Sequence, residues 1–163
     1  MMEKNNFQTL ADNRLEIAKR LALDDDIAKC LLNKAELFKD TTVTPLEKAK
    51  LIGTQIYPYP KTTGTLGQSK SYITMSFTYK KVKGGNYFKT ASIRITAFCT
   101  DDLVETKYSI LRPDFLIQKI DRLLNDTRSD GWIGRLSLDS MSDVIFDNGY
   151  IGLSVTYVNT EFQ

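Results

Sequence analysis

Residues 71–100 read SYITMSFTYKKVKGGNYFKTASIRITAFCT and predict a long β-hairpin. Apolar side chains recur at every second position, namely Ile73, Met75, Phe77 and Tyr79 before the centre and Ile93, Ile95, Ala97 and Cys99 after it. A period of two is typical of strands that bury one face. The KGGN sequence at 83–86 supplies residues that tolerate the positive φ angles of a tight turn. Strands are therefore predicted over 71–82 and 87–99.

One helix and two more strands are predicted after the hairpin. Residues 112–125, RPDFLIQKIDRLLN, carry apolar side chains at helical spacing, and Pro113 suits the first turn of a helix. The turn-rich residues that follow end this helix. Alternating apolar positions then predict strands over 133–138 and 150–158.

Three helices are predicted before the hairpin. Helical spacing over 7–22, and three acidic residues at the start of 24–32, indicate two helices or one helix with a break. Thr44 and Glu47 form a capping-box pattern that opens a third helix, which extends to about Ile52.

This order of elements predicts an α+β fold. A mainly antiparallel four-stranded sheet, in the order strand, strand, helix, strand, strand, packs against a helix, with the N-terminal helices on or beside it. The 163 residues are 42% hydrophobic and 26% charged, which fits a single domain over 1–163. Within it we expect an N-terminal helical part over 1–53, a loop arm over 54–70 and a sheet-and-helix core over 71–163. Trp132 is expected to anchor either the core or an interface.

The loop contains the sequence YPYPKTTGTLGQSK at 57–70, which shows neither helical nor strand periodicity. Long irregular segments of this kind serve either as binding arms or as surface connections without a role. Both interpretations remain open from the sequence.

The composition argues against most enzyme classes. The chain has no histidine, which excludes Ser-His-Asp and Cys-His catalysis and His-ligated zinc. Cys30 and Cys99 match no metal-ligand spacing and are expected to be buried core residues of a protein kept in a reducing compartment. Asp24–Asp26 are expected to mark the start of a helix. We predict no enzymatic activity, no catalytic residue, no metal site and no cofactor.

The N-terminus is polar, and the longest apolar runs are too short to cross a bilayer. We therefore expect no targeting segment, no membrane partner and a cytoplasmic site of synthesis.

Charge is distributed unevenly along a chain whose formal net charge is only +2. Residues 51–100 contain seven Lys and Arg and no acidic residue, whereas residues 101–163 contain six basic and eleven acidic residues. Such a dipolar chain can attract copies of itself head to tail or steer an acidic partner, although a lysine-rich hairpin is also typical of solvated edge strands. The predicted contact residues are Lys61, Lys70, Lys80, Lys81, Lys83 and Lys89, with Asp101, Asp102 and Glu105 as the opposite pole.

A second hypothesis is a nucleic-acid-binding module. The hairpin lysines stand beside Tyr79, Tyr87 and Phe88, and a ribbon with basic and aromatic side chains can hold phosphates and stack bases. The pI of about 8.4 is low for a domain whose main task is binding nucleic acid.

A family resemblance rests on six segments in order. They are IYPYPK at 56–61, SYITMSFTYKKV at 71–82, the GGN turn at 84–86, ITAFCTDDL at 95–103, RPDFLIQKIDRLLN at 112–125 and GYIGLSVTYV at 149–158. Together they resemble the neck proteins of tailed bacteriophages, most closely the tail-terminator or tail-completion type.

The resemblance implies a ring of identical subunits, usually a hexamer, at the neck of the virion. Such a ring caps the tail-tube protein, docks to the head-closure or connector protein, and lets channel-facing lysines sit near passing DNA without reading its sequence. It also implies assembly in the host cytoplasm. The helical first third departs from a minimal terminator and leaves another neck or tail-associated adaptor role open.

Overall fold

The computed structural model describes residues 6–32, 42–66, 68–129 and 133–162. Trp132 lies outside these residues. The helices are α1 (Asn6–Leu23), α2 (Asp25–Leu32), α3 (Pro45–Leu51) and α4 (Arg112–Leu124). The strands are β1 (Ile56–Tyr57), β2 (Ser71–Lys81), β3 (Phe88–Thr100), β4 (Arg128–Ser129), β5 (Gly134–Phe146) and β6 (Tyr150–Asn159). Short 3₁₀ turns occur at Thr63–Thr65, Asp101–Leu103 and Thr160–Phe162.

The predicted α+β fold is confirmed, with a sheet of six strands in the order β1-β2-β3-β6-β5-β4. Its centre is the predicted antiparallel set β2, β3, β6 and β5, and the hairpin strands end within one residue of their expected bounds. Two outer strands were not predicted. β1 pairs in parallel with the start of β2, and β4 pairs with the start of β5.

Strand β5 is longer than its sequence pattern suggests. It was expected to end at residue 138 and continues to Phe146. A β-bulge lies between Leu138 and Ser140, and most side chains beyond it are exposed. The bulge shifts the alternation of apolar and polar residues by one position. Beyond it the strand is exposed and does not need to alternate, so the sequence pattern does not reveal that the strand continues.

The helices cover one face of the sheet. The core contains Ile17, Leu21, Ile27, Leu116, Ile120 and Leu124 from the helices and Ile73, Met75, Ile93, Ile95, Ala97, Leu153, Val155 and Tyr157 from the sheet. The registers place these strand residues on a single side, which we call the helix-bearing face. The N-terminal helices α1 and α2 therefore pack on the same face as the predicted helix α4.

The opposite face is rich in hydroxyl side chains. The registers align on it Thr74, Ser76, Thr78, Ser92, Arg94, Thr96, Ser154 and Thr156. Ser76, Thr78 and Arg94 are exposed, and Thr96 donates to the Ser154 hydroxyl at 3.0 Å. An antiparallel sheet tolerates one polar, solvated face in this way.

A small aromatic cluster closes one end of that hydroxyl-rich face. It consists of Tyr57, Tyr72, Phe98 and Tyr150. The ring centroids of Phe98 and Tyr150 lie 5.6 Å apart in an edge-to-face arrangement, which is favourable for aromatic pairs. Gly152 leaves the space that the Phe98 side chain needs, because a Cβ at this position would lie 2.6 Å from the Phe98 Cβ and would also meet the Ala97 carbonyl oxygen.

We therefore expect Gly152→Ala to lower the free energy of unfolding by about 1–3 kcal/mol, the usual cost of overpacking. Urea denaturation followed by far-UV circular dichroism measures the change. Gly64→Ala is the matched control, since nothing lies within 4 Å of its added Cβ. Equal stability of the two variants would contradict the close packing described for Gly152.

Two buried polar side chains hold the C-terminal end of α2 against the rest of the fold. Arg112 is 1% exposed, and its Nε and Nη1 donate to the carbonyl oxygens of Leu103 and Cys30 at 3.0 and 2.9 Å. Gln55 Nε2 donates to the Leu31 carbonyl oxygen at 2.6 Å. A buried carbonyl oxygen needs a hydrogen-bond donor, so these contacts stabilise the fold.

Replacement of Arg112 by Met should lower the free energy of unfolding by about 2–4 kcal/mol, because buried carbonyl oxygens lose their donors. Differential scanning calorimetry and urea titration would both report the loss. Arg122→Met, on the exposed side of the same helix, should change stability by less than about 0.5 kcal/mol. A similar loss in both variants would mean that the buried hydrogen bonds of Arg112 contribute little.

Candidate functional site

The tip of the β2–β3 hairpin is basic and exposed. Lys80, Lys81 and Lys83 are all exposed, and the predicted turn forms with Gly84 at a φ of +78°. Lys89 lies opposite Lys80 in the register, and its Nζ is 2.8 Å from Glu161 Oε2. The tip therefore presents three exposed lysines, while the fourth is paired within the chain.

Lys61 and Lys70 lie at the other end of the sheet. Lys70 directly precedes β2, and Lys61 Nζ lies 5.2 Å from the ring centroid of Tyr57 in the aromatic cluster. The length of β3 separates the two ends by roughly 40 Å, at about 3.3 Å per residue. The basic block that is continuous in sequence is thus divided between two distant ends.

The loop arm folds back on the sheet in its described part, which lacks only Gly67. The Tyr150 hydroxyl donates to the Leu66 carbonyl oxygen at 2.9 Å, and Tyr57 and Pro58 are buried. The loop thus covers the aromatic cluster, and whether it also contacts a partner stays a prediction.

The predicted acidic pole lies at the same end as the loop. Asp101, Asp102 and Glu105 are exposed. Asp102 Oδ2 accepts a hydrogen bond of 2.6 Å from the Ser69 hydroxyl, next to Lys70. The structure therefore brings the three acids to the end that holds Lys61 and Lys70, and separates them from the lysines of the hairpin tip.

A second acidic region lies along β5 and was not among the predicted contact residues. Asp139, Asp143 and Asp147 are exposed, and between them Met141 and Ile145 are 61% and 81% exposed. The regular spacing of the three aspartates is visible in the sequence. That spacing predicts an acidic surface only once β5 is known to be one continuous strand near the border of the sheet.

The acidic region extends to helix α4. Partial burial, and then the neighbouring Asp143 carboxylate, raise the pKa of Asp114. Asp114 lies in the first turn of α4, so the helix-bearing side of β5 is acidic as well.

An apolar groove lies between α1 and the hairpin, with a volume of about 630 Å³. Arg14 forms one wall. Its guanidinium carbon is 5.0 Å from the Phe77 ring centroid, and its Nη2 donates to the Tyr79 hydroxyl at 3.0 Å. Leu15, also in the groove, is 45% exposed. The groove adds apolar surface next to the basic tip.

The acidic residues Asp24–Asp26 are used within the fold, as their position at a helix start suggests. Asp24 Oδ1 accepts a hydrogen bond of 2.9 Å from the Ile27 amide and so caps α2. The next two aspartates form ion pairs with Lys48 and Lys119, both at 2.5 Å. Among the described residues no group of three or more potential metal-ligating side chains is assembled.

The two cysteines lie in the core. Burial raises the pKa of the Cys30 thiol to about 12, although the nearby Arg112 guanidinium acts in the opposite direction. Burial likewise raises the pKa of Cys99 to about 12. A thiol of this kind is a poor nucleophile, because the thiolate is the reactive form.

Neither cysteine of the folded protein should react with a thiol reagent at pH 8, where a pKa of about 12 leaves roughly one thiol in ten thousand ionised. Titration with dithiobis(nitrobenzoic acid) measures this directly. The same protein in urea is the control and should release two equivalents of product. Rapid modification of the native protein would show that a cysteine is accessible.

A protein-family model described as YomW matches residues 24–159, from the residue before α2 to the end of β6. No curated protein shows a significant sequence match to the chain. In the part of the chain that the structure describes, no helix is both long and apolar enough to cross a membrane.

Proposed function

The chain belongs to the YomW family and is a phage-associated protein; on that premise we propose that it is a structural protein of the virion neck. In this proposal identical copies, six in number, form a ring that terminates the tail tube. The ring joins the tube to the head-closure or connector protein, after assembly in the host cytoplasm.

The observation that carries this proposal is the chemical difference between the two ends of the subunit. One end presents Lys80, Lys81 and Lys83, and the other presents Asp101, Asp102 and Glu105 together with two lysines. A ring between a tube and a connector must contact a different protein on each side. A subunit whose ends differ in charge, roughly 40 Å apart along the strands, meets that requirement.

The exposed lysines of the hairpin tip also suit a position near a DNA channel. Lysine side chains attract phosphates without discriminating among sequences. A few such residues on each subunit would give a ring a basic rim. We propose that this contact with DNA is non-specific and secondary to the protein contacts.

In this proposal the protein acts by shape and charge and not by catalysis. The buried Arg112 is engaged with backbone carbonyls, and the thiols of Cys30 and Cys99 are held protonated. These features support a structural role for the polar residues of the interior.

The second candidate, a small nucleic-acid-binding module, is favoured by one observation. Tyr87, 36% exposed, accompanies the three exposed lysines at the hairpin tip. Stacking on an exposed aromatic ring combined with phosphate contacts is a common way to bind single strands. The ion pair between Lys89 and Glu161 removes one lysine from that surface.

Deletion of the gene from the phage should produce filled heads and tails that accumulate separately, because the ring that joins them is missing. Negative-stain electron microscopy of lysates distinguishes this outcome from a defect in DNA packaging or in tail assembly. Supplying the wild-type protein in trans should restore complete particles, and mass spectrometry should then detect the protein in purified virions.

Two variants sharpen the experiment. Lys83→Glu reverses a charge at the tip and should restore few complete particles, whereas Lys107→Glu, in the exposed loop before α4, should restore them as the wild type does. Complete infectious particles without the protein would contradict the proposal. Binding of DNA by an isolated monomer, with affinity that falls steeply with salt, would favour the second candidate instead.

A further inference from the structure

Both long borders of the central sheet are largely without a partner strand in the described part of the chain. β1 pairs with β2 only at Ile73 and Thr74. β4 pairs with β5 only at Gly134 and Arg135. The accessible outer borders, over 76–81 of β2 and 139–146 of β5, we call the β2 edge and the β5 edge.

Hydrogen bonds at the start of β2 show which residues point outward along it. The Ile73 amide donates to the Gln55 carbonyl oxygen at 2.8 Å, on the side away from β3. Backbone groups alternate between the two sides of a strand. Met75 and Phe77 therefore direct their amide and carbonyl groups away from β3. Met75 is 1% exposed and covered within the fold, whereas Phe77 is partly exposed and belongs to the accessible β2 edge.

The same reasoning applies to β5. The Leu136 carbonyl accepts from the Asp126 amide at 2.8 Å, and the Leu138 amide donates to Asn125 Oδ1 at 3.0 Å, both on the side away from β6. Beyond the bulge, the partners of β5 on β6 continue at every second residue, so the same alternation of inward and outward backbone groups resumes there. The outward residues on the β5 edge beyond the bulge are Met141, Asp143 and Ile145.

We propose that the β2 edge of one copy pairs with the β5 edge of the next copy, so that the sheet continues from subunit to subunit. This inference rests on the proposed ring and names the contact between its copies. The four long strands alternate in direction across the sheet, from β2 through β3 and β6 to β5. A copy placed head to tail therefore sets its β2 antiparallel to β5 of its neighbour.

The side chains match this arrangement. The outward residues of both edges carry their side chains on the helix-bearing face, so pairing leaves the polar and apolar faces continuous. Met141 and Ile145, which are 61% and 81% exposed, would then lie beside the groove of the neighbouring copy, which includes the exposed Leu15. Burial of these apolar side chains, which are exposed in the isolated subunit, would stabilise the contact between copies.

Charge makes the pairing specific. Lys80 and Lys81 end the β2 edge, whereas Asp139 and Asp143 lie on the β5 edge. A stagger of about four residues between copies, of the kind that strand tilt produces in closed sheets, brings the lysines level with Asp139 and places Asp143 beside Phe77 of the neighbouring β2 edge. Because that shift is even, every side chain stays on its face.

Symmetric dimers through one edge are disfavoured by the same charges. Two β5 edges would set aspartates against aspartates, and two β2 edges would set lysines against lysines. Lysines and bulges on edge strands normally prevent pairing with other sheets. Here the acidic β5 edge of the next copy attracts the lysines of the β2 edge, so that each edge pairs with the unlike edge. A ring of heterologous contacts requires this pairing of unlike surfaces.

Zero-length cross-linking of the full-length protein with a carbodiimide tests the contact. The expected product joins Lys80 or Lys81 to Asp139, and mass spectrometry of the digest identifies it. The two edges of one copy are separated by three strand spacings, roughly 14 Å, so such a link must join two copies. The product should be lost in high salt, which screens exposed charges.

Charge reversal provides the matched variants. Lys80→Glu with Lys81→Glu, and separately Asp139→Lys with Asp143→Lys, should each abolish the oligomer seen by light scattering at low salt. An equimolar mixture of the two double variants should restore it, since both kinds of contact in the mixture join unlike charges. Lys107→Glu with Arg122→Glu, which reverses two exposed charges on neither edge, should leave the oligomer unchanged.

The outcomes separate this inference from the proposed function. Oligomers that survive both edge variants would overturn the edge pairing while leaving a ring through another surface. A wild-type chain that stays monomeric and yields no cross-link between copies, at low salt and millimolar concentration, would overturn the edge pairing as well. Loss in one edge variant only, without rescue in the mixture, would indicate a symmetric dimer.

Discussion

The buried C-terminal end of α2 is the constraint on which the rest of the fold depends. Cys30 and Leu31 are buried, and side chains from other segments donate hydrogen bonds to their carbonyl oxygens. Arg112 supplies one from the start of α4, and Gln55 supplies the other from the turn before β1. Gln55 also bonds to the Ser71 carbonyl oxygen at 3.0 Å. The N-terminal helices, the loop and the sheet are therefore fixed to one another through a few buried polar contacts.

The sequence predicted the elements whose residues alternate between core and solvent. The hairpin strands and α4 each have one buried side, so apolar residues recur along them with periods of 2 and 3.6 that can be recognised in the sequence. Two residues are too few for any period, so β1 and β4 were not predicted. The second half of β5 was not predicted either, because it carries a bulge and is exposed on both faces.

The charged residues were easier to identify than to place. Counting charges shows that the chain is dipolar along its sequence, but the position of each charge in the fold depends on how the strands pair. Lys70 and Lys81 begin and end the same region of sequence and lie at opposite ends of β2. Lys89 has its ion-pair partner at Glu161, 72 residues away. No local pattern encodes such a partner, since the register of β3 with β6 creates the contact.

A subunit with two unlike edges faces a choice between closing into a ring and growing without limit. Repeated head-to-tail contacts close only if the rotation between copies divides a full turn. In a continuous sheet that rotation follows from strand twist and stagger, which the bulges in β3 and β5 modify locally. In the proposed edge pairing, the charges determine which edges meet but do not set the rotation between copies. In the proposed ring, a tail tube of fixed symmetry would select the closed form, because only a ring of matching copy number would place every hairpin tip against its proposed binding site.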